Sequence, residues 1–527
     1  MTSATSEITT KGLNTLVHDV EKLSLYNPAH SENGSLEALR AVERQLGETE
    51  VSYFLPSRES GVNDMYLHLG CLAQPNHIDR DRIRLAWTIM RLRHPLLGSK
   101  VIMNDYNDIR FRYETPLSPD AALTIADQNL EFRSQTKDAL IDSYLNGRRT
   151  LSNERLSYLV VAFTKTQEDV EHNFDFLICA THFLGDGMAL HQFANDFFGL
   201  LGGSIDEAGL RQKLEAEWKD YCASEMPLPS SLEDRLPLNL SSKFRQAAAQ
   251  VDFQLSQKRD IGGHAFPKQS KGERHTVVPT VSYDSVKTKK ILSTCKTHGV
   301  SISAALFAIC NVAWSRVQSK NRHLPIMMYS ALNLRPNLRA EKRLHDSYWF
   351  IAIGYFNIIL PSFLPIKGDL PSIFWHRARS AKVQSASAAK HSMAVSRCFE
   401  TAKLRGARAR LWAKEDDDKA AGIVPPPKPV CADSKTPQKP KVPSTALMGL
   451  SLLGNLDGIY KHVNFPSIKM HTLTTGSRQR SGGMLLFGYT FAGKLWVSFG
   501  YDENGIEEAT VKCFWDGVAN AIDEFLA

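Results

Sequence analysis

An abrupt change of pattern between residues 174 and 201 restricts the fold of this 527-residue chain more than any other feature. Residues 174–180, FDFLICA, form a nearly continuous apolar run, which is typical of a strand that is buried on both faces. The segment at 187–201 has its large apolar residues at helical spacing, namely Leu190, Phe193, Phe197, Leu200 and Leu201. The pattern predicts a buried strand that turns directly into a helix, and such strand ends in α/β layers commonly hold functional sites.

The six residues at the predicted turn, HFLGDG at 182–187, carry groups that can perform chemistry. His182 can act as a general base because the unperturbed pKa of histidine lies near neutral pH. Asp186 can fix the loop by accepting hydrogen bonds from its N–H groups or by pairing with an arginine, and Gly187 permits a close backbone approach. Arg335, which follows a later predicted strand, is the candidate partner. The segment predicts acyl transfer to an alcohol or amine without a metal or a covalent intermediate.

A purely structural explanation of the same residues remains open at this point. An aspartate before a helix is an ordinary N-cap, and His182 can be a hydrogen-bonded histidine at a strand end. The pattern HxxxDG arises by chance in roughly one chain in twenty of this length. Asp186 can therefore cap the helix, pair with Arg335, or do both.

Length and composition indicate a globular protein of about two to four domain-sized units. The net charge is +7 without a long Lys/Arg block, which argues against nucleic acid as the main partner and mildly favours an anionic cofactor. The eight cysteines are dispersed, as in an intracellular protein with reduced thiols. The most apolar stretch, 349–366, contains Pro361 and Pro365 and is interpreted as a buried strand and turn. We therefore expect a soluble cytoplasmic monomer.

The pattern along the chain predicts an N-terminal lobe at 1–224, a crossover segment at 225–280 and a C-terminal lobe at 281–527. Residues 414–442 are poor in apolar side chains and rich in Pro and Lys, which indicates an exposed loop. The predicted strands lie at 66–72, 101–102, 109–113, 156–163, 174–180, 325–332, 348–360, 484–489 and 495–500. The predicted helices lie at 12–25, 78–93, 187–201, 302–317, 371–410 and 507–525.

HFLGDG resembles the signature of the CoA-dependent acyltransferase superfamily, which includes BAHD acyltransferases and the condensation domains of peptide synthetases. The resemblance spans about residues 60–527. It implies an α/β (α+β) fold of two similar chloramphenicol-acetyltransferase-like lobes with mixed sheets and an active-site channel between them. It also implies that CoA and the acceptor reach His182 from opposite sides, and that Arg335, in SALNLRP at 330–336, pairs with Asp186.

Several segments refine this resemblance. Thr181 stands where condensation domains typically have a second histidine, which favours a stand-alone acyltransferase. The segment SFGY at 498–501 does not match the DFGWG motif of plant BAHD members. YFN at 355–357 and SLLGNLDG at 451–458 resemble the strand and channel-side segment of the second lobe. The whole sequence is most similar to fungal trichothecene 15-O-acetyltransferases, which implies acetyl transfer from acetyl-CoA to the C-15 hydroxyl of a trichothecene, without a metal.

The segment TGSRQRSGG at 475–483 is the candidate CoA-binding element. Ser477, Arg478 and Arg480 can bind phosphates through backbone N–H groups and guanidinium groups, although a glycine-rich hairpin turn explains the same composition. Two other functions remain open, namely condensation with a carrier-bound acyl group and a binding protein with a vestigial motif. The chain has no HExxH, GxSxG or Walker A pattern, so metalloprotease, serine-hydrolase and P-loop chemistry lack support.

Overall fold

Two mixed β-sheets, one of five strands and one of eight, form the framework together with a small sheet of three strands. The computed structural model describes residues 41–75, 77–164, 171–223, 228–238, 242–318, 320–339, 348–365, 369–423 and 442–527. The helix predicted at 12–25 lies outside these residues. The segment up to residue 60, which has no other predicted element, contains the strand and helix labelled β1 and α1 below.

The described strands are β1 (Ala41–Gln45), β2 (Met65–Ala73), β3 (Lys100–Met103), β4 (Ile109–Glu114), β5 (Leu130–Arg133), β6 (Ser157–Thr164), β7 (His172–Ala180), β8 (Gly262–Gly263), β9 (Thr276–Val277), β10 (Thr280–Tyr283), β11 (Ile326–Asn333), β12 (Ile353–Leu360), β13 (Ser444–Asn455), β14 (Ile468–Ser477), β15 (Met484–Phe491) and β16 (Lys494–Asp502). The described helices are α1 (Glu48–Ser57), α2 (Arg80–Arg93), α3 (Pro119–Asp127), α4 (Lys137–Asn146), α5 (Gly187–Gly202), α6 (Glu207–Ala223), α7 (Leu232–Arg235), α8 (Lys243–Gln257), α9 (Ser285–Thr297), α10 (Ile302–Val317), α11 (Leu370–Lys390), α12 (Ala394–Ala420) and α13 (Glu508–Phe525).

The five-stranded sheet, in the order β14-β2-β7-β6-β5, contains the strand predicted from the apolar run. Every residue of β7 from Phe174 to Ala180 is buried. Phe176 and Ile178 belong to one hydrophobic cluster, whereas Leu177 and Cys179 belong to another. Successive side chains of a strand point to opposite faces. Both faces of this sheet are covered, which explains why the run is apolar except for Asp175.

Strand β14 was not predicted and changes the division of the chain. It comes from the segment assigned to the C-terminal lobe, yet it pairs along its length with β2 at the edge of the first sheet. The predicted boundary at 281 therefore does not separate the two sheets, and contacts group residues 42–527 into one unit. The sequence IKMHTLTTGS is rich in Thr and other polar residues, so it gives no hydrophobic signal for a buried strand.

The eight-stranded sheet contains β10-β16-β15-β13-β11-β12 in this order, with β8 and β9 attached. Helix α10 was predicted correctly and is buried from Ala304 to Ser315. The strand predicted at 348–360 is correct only from residue 353, because β12 spans Ile353–Leu360 and the buried residues 349–352 precede it. Among the described helices, none is by itself long and apolar enough to span a membrane. Helices α9 and α10 reach the required length and apolar content only when they are taken together, and they are bent by 92° relative to each other.

The loop predicted at 414–442 is wrong in its first part, because α12 continues to Ala420. This helix packs along α1, and its last turns are anchored by side chains from elsewhere in the chain. Asp417 accepts hydrogen bonds from Arg58 and from the hydroxyl of Tyr106, the latter at 2.7 Å. Polar partners from distant segments thus extend a helix that its composition does not predict.

Candidate active site

The motif occupies the turn between β7 and α5, as the sequence predicts. His182–Leu184 form a single 3-10 turn after Thr181, and Asp186 is the N-cap of α5. Gly185 lies in extended backbone, where a Cβ atom would come within 3.3 Å of Ala189 and of the Trp349 indole nitrogen. The turn is thus tightly enclosed on one side, which limits where the His182 ring can lie.

The orientation of His182 is fixed by its own turn. Its Nδ1 atom lies 3.1 Å from the carbonyl oxygen of Gly185. Because a carbonyl oxygen can only accept, Nδ1 carries the hydrogen and donates it, which leaves the Nε2 lone pair available. A general base needs this tautomer, because its unprotonated Nε2 can accept a proton.

The surroundings of His182 favour its neutral form. Burial is the largest influence and lowers the pKa of His182 below its ordinary value. The negative charge of Asp186 raises the pKa, whereas the positive charge of Arg405 lowers it further. The imidazole is therefore a free base at neutral pH and is ready to accept a proton.

Asp186 performs both structural roles that the sequence left open. Its Oδ1 atom accepts hydrogen bonds from the backbone N–H groups of Met188 at 3.0 Å and Ala189 at 3.2 Å, which caps α5. Arg335 Nη1 lies 2.8 Å from each carboxylate oxygen. The N–H of Ala352 donates to Oδ2 at 2.8 Å. Asp186 has 2% of its surface exposed, and both of its carboxylate oxygens are occupied by these contacts.

Arg335 extends this network into the segment 348–352. Its Nη2 atom donates to the carbonyl oxygen of Phe350 at 2.7 Å and to that of Tyr348 at 3.3 Å. Its guanidinium carbon also lies 4.9 Å from the centre of the Phe350 ring. The predicted Asp186–Arg335 pair thus connects the turn that carries His182 to the segment leading into β12.

Gly187 lies against the segment 451–458 that the resemblance singled out. A Cβ atom at this position would come within 3.1 Å of Leu453 Cδ2, which is closer than almost all real contacts of this kind. The absence of a side chain lets β13 approach the start of α5, as expected from a glycine that permits close approach.

Three residues beside His182 were not predicted. The ring of Tyr53 stacks on the imidazole with centroids 4.4 Å apart and planes inclined by 23°. The Tyr53 hydroxyl contacts the Tyr355 hydroxyl. The Arg405 guanidinium lies over both tyrosine rings, 5.1 Å and 4.5 Å from their centroids. These residues come from α1, β12 and α12, and no local spacing relates them.

The predicted CoA-binding residues do not form one anion site. Arg478 is 3% exposed, and its guanidinium donates to the carbonyl oxygens of Tyr144, at 3.0 and 2.6 Å, and Gly147, at 2.9 Å. Ser477 is buried at the end of β14, and only Arg480 is exposed. The assignment of Arg478 to CoA phosphates is therefore corrected, because its donors stabilise the end of α4. The alternative of a hairpin turn is also wrong, because β14 and β15, the strands on either side of the segment, belong to different sheets.

Replacing Arg478 with Met should lower the free energy of unfolding by about 1–3 kcal/mol, because three buried carbonyl hydrogen bonds are lost. Denaturant unfolding measures this effect. Arg480→Met is the matched control and should leave stability unchanged. An Arg478→Met protein as stable as the wild type would contradict the structural role of this guanidinium.

Two cavities differ in their position relative to the motif. The larger, of about 410 Å³, is lined by none of the motif residues. A second cavity of about 220 Å³ is lined by Tyr355, Asn357, Arg397 and Thr401, and therefore reaches the residues beside His182. Within the ranges that the structure covers, no group of three or more His, Cys, Asp or Glu residues is arranged to hold a metal ion.

No protein-family model matches this sequence, and no curated protein matches it either. Solved structures do match, and the matches cover almost the whole chain. Their sequence identities are low, so they show a shared fold and nothing about function. The chain shares its fold with a solved acetyltransferase and with solved domains of peptide synthetases, which confirms the predicted fold class.

Trichothecene 15-O-acetyltransferase TRI3 from Fusarium sporotrichioides is similar with a TM-score of 0.70 and 14% identity, over 94% of this chain and 98% of that chain. The epimerization domain from the third module of tyrocidine synthetase B has a TM-score of 0.54 and 14% identity, over 92% and 98%. The first condensation domain of the CDA synthetase has a TM-score of 0.54 and 12% identity, over 92% and 97%.

Proposed function

We propose that this protein is an acetyl-CoA-dependent O-acetyltransferase that acts on a hydroxyl group of an oxygenated small molecule. The observation that carries the proposal is His182, whose Nδ1 hydrogen is held by Gly185 and whose Nε2 lone pair is free. The likeness to TRI3 over nearly both full lengths supports the narrower expectation that the acceptor is the C-15 hydroxyl of a trichothecene.

The reaction follows from one histidine. Nε2 of His182 takes the proton of the acceptor hydroxyl as its oxygen attacks the thioester carbonyl, so that a C–O bond forms and the carbonyl oxygen becomes an oxyanion. The oxyanion then re-forms the carbonyl, the C–S bond breaks, and the imidazolium returns the proton to the thiolate of CoA. Asp186 and Arg335 hold the turn throughout, and no acyl-enzyme is needed.

The pH dependence of kcat/KM should report the lowered pKa of His182. A base is active only when it is unprotonated, so activity should fall as the pH drops through this pKa. Because burial places the pKa below 6.5, the acid limb should lie below pH 6.5 and activity should be level at neutral pH. Initial rates with acetyl-CoA from pH 4.5 to 8 measure this profile. An acid limb centred above 6.5 would contradict the neutral state of His182.

The second candidate is a condensation enzyme that uses a carrier-bound acyl group, which the likeness to the CDA synthetase domain favours. Thr181, in place of a second histidine, counts against it. Incubation with acetyl-CoA and candidate alcohols, followed by detection of free thiol, separates the two. Thiol release with a soluble alcohol supports the acetyltransferase, whereas activity only with an acylated carrier protein supports condensation. No activity with any donor leaves a non-catalytic binding protein.

We expect the protein to act as a cytoplasmic monomer on a small-molecule alcohol and CoA. Nucleic acid is not expected as the main partner, because the positive charges are scattered along the chain. Size-exclusion chromatography with light scattering tests the oligomeric state.

A further inference from the structure

Tyr53, Tyr355 and Arg405, here called the donor cluster, bring more hydrogen-bond donors together than they can use among themselves. The two hydroxyls touch, and Arg405 lies close enough to interact with both. One hydroxyl can donate to the other, but the hydrogen of the second hydroxyl then has no acceptor within the cluster. A guanidinium group adds five N–H donors and no acceptor. The missing element is a group that only accepts.

Arg405 also differs from the other partly buried arginines on α12, Arg397 and Arg410. Arg397 is paired with Asp252 and Arg410 with Glu48. Arg405 has no carboxylate partner among the residues that the structure describes, and its contacts there are the two tyrosine rings. A half-buried cation without a counter-ion is a favourable place for an anion.

The donor cluster lies at the catalytic histidine. Tyr53 belongs to the cluster through its hydroxyl, and its ring stacks on the imidazole of His182. The donor cluster and the imidazole therefore contact the same tyrosine side chain. Burial raises the pKa of Tyr53 well above its ordinary value, so its hydroxyl keeps its hydrogen at neutral pH. Tyr355 and Thr401, one turn before Arg405, line the cavity of about 220 Å³, which gives a ligand a route to the cluster.

We propose that Tyr53, Tyr355 and Arg405 form a subsite for an anionic oxygen beside His182. Two sources have this chemistry, namely the oxyanion that develops on the acyl carbonyl and a permanent carboxylate on the acyl group. The subsite itself stands on the geometry of the three side chains, whereas its part in acyl transfer rests on the proposed function.

Kinetics of Arg405→Met and Tyr355→Phe distinguish the two sources. Stabilisation of the oxyanion should make both variants slower with acetyl-CoA, by roughly 10²- to 10³-fold in kcat for Arg405→Met, with KM unchanged. If the subsite holds a carboxylate, acetyl transfer stays normal, and the wild type prefers malonyl-CoA, a preference that Arg405→Met abolishes. Arg408→Met, an exposed arginine on the same helix, is the matched control and should behave as the wild type.

A second measurement does not depend on enzyme activity. Crystals of the full chain soaked in sodium bromide should show an anomalous bromide peak among the three side chains, and crystals of Arg405→Met should not. If no donor supports transfer, the proposed function fails but the bromide result still decides the subsite. Absence of the peak in the wild type, or variants that lose thermal stability but keep wild-type kinetics with every donor, would overturn the proposal. The residues would then have a packing role only.

Discussion

His182→Ala should lower kcat for acetyl transfer by about 10²–10⁴-fold, the usual contribution of a general base. Among the described residues of the site, the other basic side chains are Arg335 and Arg405, and a guanidinium stays protonated and cannot act as a base. KM for acetyl-CoA should change little, since the imidazole is half-buried in its own turn and its fixed contact is with Gly185. Thiol release under saturating acetyl-CoA measures the effect.

The fold of this variant should remain intact, because the imidazole loses only its contacts with the Gly185 carbonyl and the Tyr53 ring, and no buried charge is left unpaired. Circular dichroism and a melting temperature close to that of the wild type establish this. His298→Ala, which removes an exposed histidine that stacks on Trp375, is the control for a general effect of histidine loss. Near-normal turnover in His182→Ala would contradict the proposed mechanism.

The elements that the sequence predicts well are those whose signal is local. Strand β7 and helix α5 follow from an apolar run and a 3.6-residue period, and the turn between them holds His182 and Asp186 as expected. Arg335 was named because it follows a predicted strand and because a resemblance pointed to it, since the spacing of a residue 149 positions away does not identify a partner.

Features that depend on distant pairing were not predicted. Strand β14 is stabilised by its ladder with β2, to which its own polar residues give no clue. Arg478 looks like an anion-binding residue in sequence, but its role is decided by the carbonyl groups at the end of α4. The donor cluster likewise exists only because α1, β12 and α12 meet at His182.

Among the substitutions proposed here, replacing Asp186 in the Asp186–Arg335 pair should lower the free energy of unfolding most. Asp186→Ala leaves the Arg335 guanidinium without its counter-ion and removes the cap of α5, so the free energy of unfolding should fall by about 3–5 kcal/mol. Two backbone N–H groups at the start of α5 and that of Ala352 also lose their acceptor. Transfer activity should fall as well, because the turn that aims His182 is no longer held.

A double-mutant cycle separates the pair from the cap. Arg335→Met removes the charge while keeping the volume, and it should cost less than Asp186→Ala because the carboxylate still accepts from three backbone N–H groups. In the double variant the unpaired guanidinium is gone, so the loss should be smaller than the sum of the two single losses. Denaturant unfolding of the four proteins gives the coupling. Asp416→Ala, which breaks an exposed pair with Lys419, is the control and should cost less than about 0.5 kcal/mol. Additive losses would mean that Asp186 acts through its backbone hydrogen bonds alone and that Arg335 does not hold the turn.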